Sequence, residues 1–197
     1  MGLSNISDLR KKEIVEAFYK TAIKEGLEST SIAKIAKSLD IPPSLIVHYY
    51  KSKDELVNAL INHCLELYLK IFEKTYDSAI DSSQMLPSLI NRMFSKDWND
   101  LFDDGVYYSA YAMVFREPKF REKFSKIHKI LRLKLSELLK ECNETGMIKC
   151  INPDQTANQI FFLLDGTYFY INMLETYKEQ NEHLESSKKL AYSILGL

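Results

Sequence analysis

The stretch TSIAKIAKSLDIPPSLIVHYYKSKDEL, residues 30–56, constrains the fold of this chain more than any other. Ile32, Ile35, Ala36 and Leu39 recur at i, i+3, i+4 and i+7, which places them on one face of a helix, and Ser31 stands just before them as an N-cap. That helix cannot run far. Pro42 and Pro43 push the residues before them out of helical geometry, yet Pro43 suits the first position of a new helix, where its missing N–H would have gone unpaired. The new helix, 43–49, has about two turns and is too short to be stable alone. Ile46 and Tyr50 must therefore anchor it to its neighbours, leaving its other face free.

The flanking sequence supplies those neighbours. From Ser7 or Asp8 a helical pattern runs through Ile14, Val15, Phe18, Ala22 and Ile23 to Gly26, which stands where a helix end favours positive φ. Ser52 caps a long fourth helix whose Leu56, Leu60, His63, Leu67 and Ile71 keep a core-facing spacing. After DSSQM, read as a loop, helical patterns recur at about 86–94, 98–115, 121–143, 154–177 and 184–195, with Pro87, Pro118, Pro153 and Gly146 near the boundaries. Nothing reads as a strand. The expected fold is all-α: an N-terminal three-helix helix-turn-helix domain at 1–54, joined by a long helix to a helical bundle at 55–197.

Composition narrows the class. The 197 residues are 46% hydrophobic and 27% charged with only six Gly and five Pro, which suits a folded helical chain. No segment has the apolar length to cross a bilayer, the N-terminus lacks a secretion signal, and Ile6 stands where a myristoylated Met-Gly start needs Ser or Thr. The expected location is cytoplasmic. Cys64, Cys142 and Cys150 match neither a zinc nor a thioredoxin-type spacing and read as reduced thiols, a Cys142–Cys150 redox switch being the alternative. His63, Cys64 and His128 form no metal spacing, and the charge-rich REPKFREKFSKIHK reads as a solvated helix face rather than a second nucleic-acid patch. No phosphate loop, nucleophile elbow or paired catalytic motif occurs, so neither an enzyme, a metal nor a cofactor is expected. Net charge is −1 over the chain, with nine Lys/Arg against eight Asp/Glu in residues 1–56, so local placement, not bulk charge, must carry any nucleic-acid argument.

That placement is suggestive. Two helices at a tight turn, the second with an outward face, form a helix-turn-helix, whose second helix can enter the DNA major groove. His48, Tyr49, Lys51 and Lys53 follow within reach of phosphates. A retained but unused helix-turn-helix in a ligand-binding or scaffold module is the competing reading. The order Gly26, Thr30-Ser31, Ile35-Ala36, Ile41, Ser44, Ile46, Tyr49-Tyr50, Lys53 and Leu56 resembles the N-terminal signature of TetR-type transcriptional regulators across about residues 8–56. The resemblance implies that Ser31 caps the second helix and touches phosphate, that Pro43, Ser44 and Leu45 face base edges with Val47 close to the DNA, and that His48, Tyr49 and Lys53 grip the backbone. Asp40 replaces the Gly usual in the family's turn, a position Asp tolerates in left-handed geometry. Val47 stands where Tyr is usual, and Ala33 where some relatives carry a longer side chain. Few base-directed donors remain, so thymine methyls and DNA shape carry more of the expected readout.

VYYSAYAMVFREPKFREKF and IFFLLDGTYFYINM resemble the BetI-like branch of the same family, the choline regulators. The run 160–174 is apolar almost all round, which implies cover on more than one side, either as a monomer's central helix or as part of a homodimer interface built from the last two helices, as in similar regulators. Asp165 inside that run is costly unless paired or hydrated. It either holds a cationic small-molecule effector beside Trp98, Tyr107, Tyr108, Tyr111 and Tyr168, since aromatic faces attract cations, or makes a structural pair while the aromatics fill the core. The expected partners are operator double-stranded DNA, a small-molecule effector and a second copy of the chain. The resemblance favours a repressor released by its effector.

Overall fold

A computed structural model describes residues 3–75, 82–95, 98 and 103–197. The helices are α1 (Leu3–Glu25), α2 (Ile32–Leu39), α3 (Pro43–Tyr49), α4 (Lys53–Thr75), α5 (Ser82–Met93), α6 (Asp104–Ala112) with a 3-10 turn at Met113–Phe115, α7 (Pro118–Glu144), α8 (Pro153–Ile171) and α9 (Tyr177–Leu195). Among the described residues there is no strand, so the chain is all-α.

The break between α2 and α3 forms as its residues dictate. Ser31 Oγ accepts from Lys34 N at 3.3 Å to cap α2. Asp40 ends α2 in the left-handed region at φ 53, ψ 46, the single non-glycine residue with positive φ among those described. That rotation lets Asp40 N–H and Ile41 N–H turn back onto Lys37 O and Ala36 O at 3.3 and 3.0 Å, satisfying carbonyls that the helix end would otherwise orphan. Pro43 then opens α3, and Ile46 fills the core between the helices.

Several boundaries differ from those the sequence suggests. α1 begins at Leu3, upstream of Ser7, because its first turns carry exposed residues such as Ile6 and Leu9 and so show no core periodicity; Ile23 is exposed and Leu27 buried in its place. DSSQM is not a loop from Ser82 onward, since α5 starts there and Pro87 lies inside the helix instead of at its edge. Of the helix expected at 98–115, Trp98 is helical and 99–102 lie outside the described residues; a helix then begins at Asp104, where Asp103 Oδ1 accepts from Val106 N at 2.9 Å. The helix expected over 154–177 stops at Ile171, and α9 starts at Tyr177 instead of Leu184. Thr176 caps it, its Oγ1 accepting from Glu179 N at 3.3 Å and its O–H donating to Glu179 Oε2 at 2.6 Å, a T-x-x-E signal that apolar spacing alone passes over.

The chain folds as two compact units: Met1–Leu67 with Phe102–Phe124, and Tyr68–Leu101 with Ser125–Leu197. A division was expected after residue 54; α4 and α7 each run through both units. In the first unit, Ile14, Phe18, Ile35, Ile46, Leu56 and Leu60 form the core under α1–α4. Tyr19 on α1 accepts a hydrogen bond from Asp103 N–H at the start of α6, and burial pushes its phenol up to about 12. Cys64 is buried beside it with its thiol likewise raised to about 12 by desolvation, which keeps it protonated and inert.

In the second unit α8 packs on α7 and α9. Arg132 on α7 lies over the Phe161 ring at 4.8 Å and reaches Asp165 Oδ2 at 3.4 Å, with His128 Nδ1 3.0 Å from its other terminal nitrogen. Partial burial pushes the Asp165 carboxyl up, opposed by the charges of His128 and Arg132, and desolvation holds the His128 imidazole below its ordinary 6.5.

Two measurements test this account. Asp40→Val places a β-branched residue in left-handed geometry and is expected to lower unfolding free energy by about 1–2 kcal/mol, whereas Asp40→Gly holds or raises it; urea unfolding at fixed protein concentration reads both. For His128, the unfolded chain takes the proton more readily than the folded one. Stability is therefore full above pH 6.5 and is lost as pH falls below it toward the depressed folded value. A His128→Gln variant is expected to lose less stability than the wild type between pH 7.5 and 5.5; an identical loss overturns the assignment.

Candidate nucleic-acid interface

α3 presents one outward face. Pro43, Ser44, Val47 and His48, at i, i+1, i+4 and i+5, are exposed, while Ile46 on the opposite side has no accessible surface. Leu45 and Tyr49 are half-buried at the edges of that face, and the His48 and Tyr49 rings meet edge-on at 5.1 Å. Ser31 is exposed at the N-terminus of α2, with its Oγ engaged in capping. Tyr50 O–H donates to Lys11 O at 3.3 Å, tying the end of α3 to α1.

The cations around this face differ in their freedom. Lys34 pairs with Glu25 and donates to Ser29 O at 2.9 Å, and Lys53 donates to Glu28 O at 3.0 Å. The carbonyl orients the Lys53 ammonium without cancelling its charge. Lys37 and Lys51 are exposed, and among the described residues no ion pair holds either side chain. Lys51 lies in the turn where its backbone N–H donates to Glu55 Oε2 at 2.8 Å and Ser52 Oγ accepts from Glu55 N at 3.2 Å. This reciprocal cap fixes the turn that carries Lys51 and Lys53 beyond α3. Sequence reasoning passed over Lys37, whose only signal is its place on the exposed side of α2.

The aromatic residues assigned to an effector fall into two groups. In the first unit Tyr107 stacks on Tyr111 at 6.3 Å, meets Tyr108 edge-on at 5.4 Å, and packs with Tyr111 against Phe124. In the second unit buried Trp98 lies 4.9 Å from the Tyr68 ring and 6.0 Å from that of Tyr168. Tyr168 O–H is shared between Met93 O at 3.0 Å and Ser95 O at 2.8 Å, so it ties α8 to the end of α5. Asp165 is exposed on α8 whereas Tyr168 is buried, and the cation paired with Asp165 is Arg132 of the same chain. The arginine was not foreseen; ILRLKL marks it only as one of two charges within an apolar spacing.

The open side of α8 is apolar around that carboxylate. Phe162, Phe169, Tyr170 and Met173 are exposed there, followed by Tyr177 and Leu190 on α9. Gly166, in the middle of this surface, has open space where a Cβ would stand.

Comparison with known proteins accounts for both parts of this chain. A family model for bacterial regulatory proteins of the tetR family matches residues 14–60, and one for the tetracyclin repressor-like C-terminal domain matches residues 81–197. The HTH-type transcriptional regulator BetI of Stenotrophomonas maltophilia is 24% identical over 120 residues, which are 60% of this chain and 61% of that protein. BetI of Brucella anthropi is 33% identical over 57 residues, 29% of each chain. The matched stretch thus spans less than two thirds of these relatives. Among solved structures, a TetR transcription regulator from Haloarcula marismortui superposes with a TM-score of 0.82 at 17% identity, covering 96% of this chain and 97% of its own. The reduced form of Escherichia coli NemR superposes at 0.77 with 14% identity over 94% and 97%. The C-terminal match alone covers more than half of the chain, and with the helix-turn-helix match before it, the chain belongs to the TetR family of bacterial transcriptional regulators.

Proposed function

We propose that this regulator binds operator DNA as a two-fold dimer and is released, as a repressor, when a small molecule binds its C-terminal part. The observation that carries the reading is the outward face of α3, anchored from behind by Ile46 and followed by Lys51 and Lys53 on a capped turn. Pro43, Ser44 and Leu45 meet base edges, Val47 lies at the DNA surface, and Ser31, His48, Tyr49 and Lys53 hold phosphates. An α3 with so few donors reads its operator through methyl contacts and DNA shape. No catalytic step is part of this function, and its place is the cytoplasm, with its DNA.

The exposed apolar side of α8 supports the dimer. A second copy covers Phe162, Phe169 and Met173 by two-fold symmetry. The two α3 helices then reach successive major grooves, about 34–36 Å apart. An effector shifts DNA binding only by its differential affinity for two dimer states, so it binds the released state more tightly. Trp98 and Tyr168, and separately Tyr107, Tyr108 and Tyr111, are the aromatic groups offered to it, with Asp165 favouring a cationic effector where Arg132 yields.

Two experiments test the reading. Lys53→Ala is expected to weaken binding to every DNA sequence and to flatten the salt dependence by about one unit in a mobility-shift titration, while Ser44→Arg changes which sequence is preferred. Unchanged affinity and slope for Lys53→Ala overturn the phosphate grip. The double variant Phe162→Glu, Phe169→Glu is expected to run as a folded monomer by light scattering and to lose operator affinity; a wild-type chain that is monomeric at micromolar concentration overturns the dimer.

A further inference from the structure

Within the second unit, one face of α5 and the turn after it is polar where its other face is core. Gln84, Pro87, Ser88, Asn91, Arg92 and Ser95 recur at i, i+3, i+4, i+7, i+8 and i+11 and line an open groove of about 570 Å³, closed on its far side by Lys188 of α9. That volume lies in the range that holds small molecules. Leu86, Leu89, Ile90 and Met93 on the opposite face are fully buried, so the two faces of α5 are sharply divided. Tyr192 O–H reaches Pro87 O at 3.2 Å and Asn91 Oδ1 at 3.1 Å and fastens α9 alongside.

The two charged residues that line the groove are both cations. Arg92 lines it, and Nη1 of its guanidinium is buried with no hydrogen-bond partner. A buried N–H left unmade costs about 1–3 kcal/mol, more when the group is charged, so an occupant that draws the guanidinium into the groove and supplies an acceptor recovers that cost. Lys188 lines the same groove, and its Nζ, 2.5 Å from Glu185 Oε1, has two further N–H donors. Ser88, Asn91 and Gln84 add hydroxyl and amide donors. No carboxylate is among the lining residues.

We propose that this groove binds the carboxylate or phosphate group of a small anionic molecule, with Arg92 as the principal ligand residue and Lys188 as the second. A planar guanidinium offers paired donors to either group, and the ammonium adds a point charge from the facing helix. The site lies outside the aromatic and Asp165 residues assigned to an effector above and does not depend on the regulatory reading, because its occupancy is measured without DNA.

The test is titration of the full chain with sodium phosphate and, separately, sodium succinate at constant ionic strength set with chloride. Binding is followed by the Arg92 side-chain Nε–H and the backbone resonances of α5 and α9 in proton–nitrogen spectra. Saturable shifts confined to those residues are expected for at least one of the two anions, and the tighter one assigns the ligand to phosphates or to carboxylates. Arg92→Met is expected to weaken that binding about tenfold or more, as loss of a charged hydrogen bond does, and Lys188→Met by a smaller factor, each with the helical circular dichroism of the parent. If neither anion shows saturable shifts, or if a folded Arg92→Met binds as the parent does, the site is overturned. Should Arg92→Met fail to fold, Lys188→Met decides: unchanged affinity in that folded variant overturns the proposal as well.

Discussion

The left-handed turn at Asp40 is the constraint on which the helix-turn-helix depends. An eight-residue helix and a seven-residue helix are each too short to persist alone. They persist because one residue rotates to positive φ, returns two N–H groups to the end of α2, and delivers the chain to Pro42 and Pro43 already extended. The prolines then set the first turn of α3 without losing a bond that the helix would have made. Everything outward on α3 follows from that aim, because Ile46 can enter the core only when Ser44, Val47 and His48 are turned away from it. Asp carries this duty at some conformational cost that Gly would avoid, and its short polar side chain is what makes the cost small.

The second unit solves a different problem. From Ile160 on, α8 is apolar on nearly all sides, but a single chain covers only the side bearing Ile160, Phe161, Leu164, Tyr168 and Ile171. The open side carries four large apolar residues together with a carboxylate that is matched inside the chain by Arg132. An internal ion pair beside an apolar surface leaves that surface without a net unpaired charge, which lowers the desolvation cost of covering it. Arg132 also stacks over Phe161, so its guanidinium is oriented by packing before it meets Asp165.

Much of this was legible in the residues. Ser31, Asp40, Pro43 and Gly26 each act locally, and local rules read them correctly: a cap, a left-handed stop, a helix start and a helix end. The long-range assignments were harder. Spacing said that Asp165 needed a partner but could not say that Arg132, thirty-three positions earlier, supplies it. Apolar periodicity carried the expected helix past Ile171, because Met173 and Leu174 continue the pattern; the N-cap at Thr176 outweighs it. The outward residues Pro43, Ser44, Val47 and His48 were legible as one face because they share one short helix. The groove under Arg92 was not, since Lys188 comes to it from almost a hundred positions away.

The bond between Tyr19 and residue 103 has an unusual genetic consequence. Its acceptor is a side chain but its donor is main chain, so every amino acid except proline at position 103 offers the same N–H. Drift at 103 would alter the cap on α6 and leave this tie between α1 and α6 in place. Drift at 19 is different: even phenylalanine, which keeps the ring against His63, discards the hydroxyl and severs the tie. Tolerance to substitution is therefore lopsided across a single hydrogen bond, broad at one end and confined to tyrosine at the other.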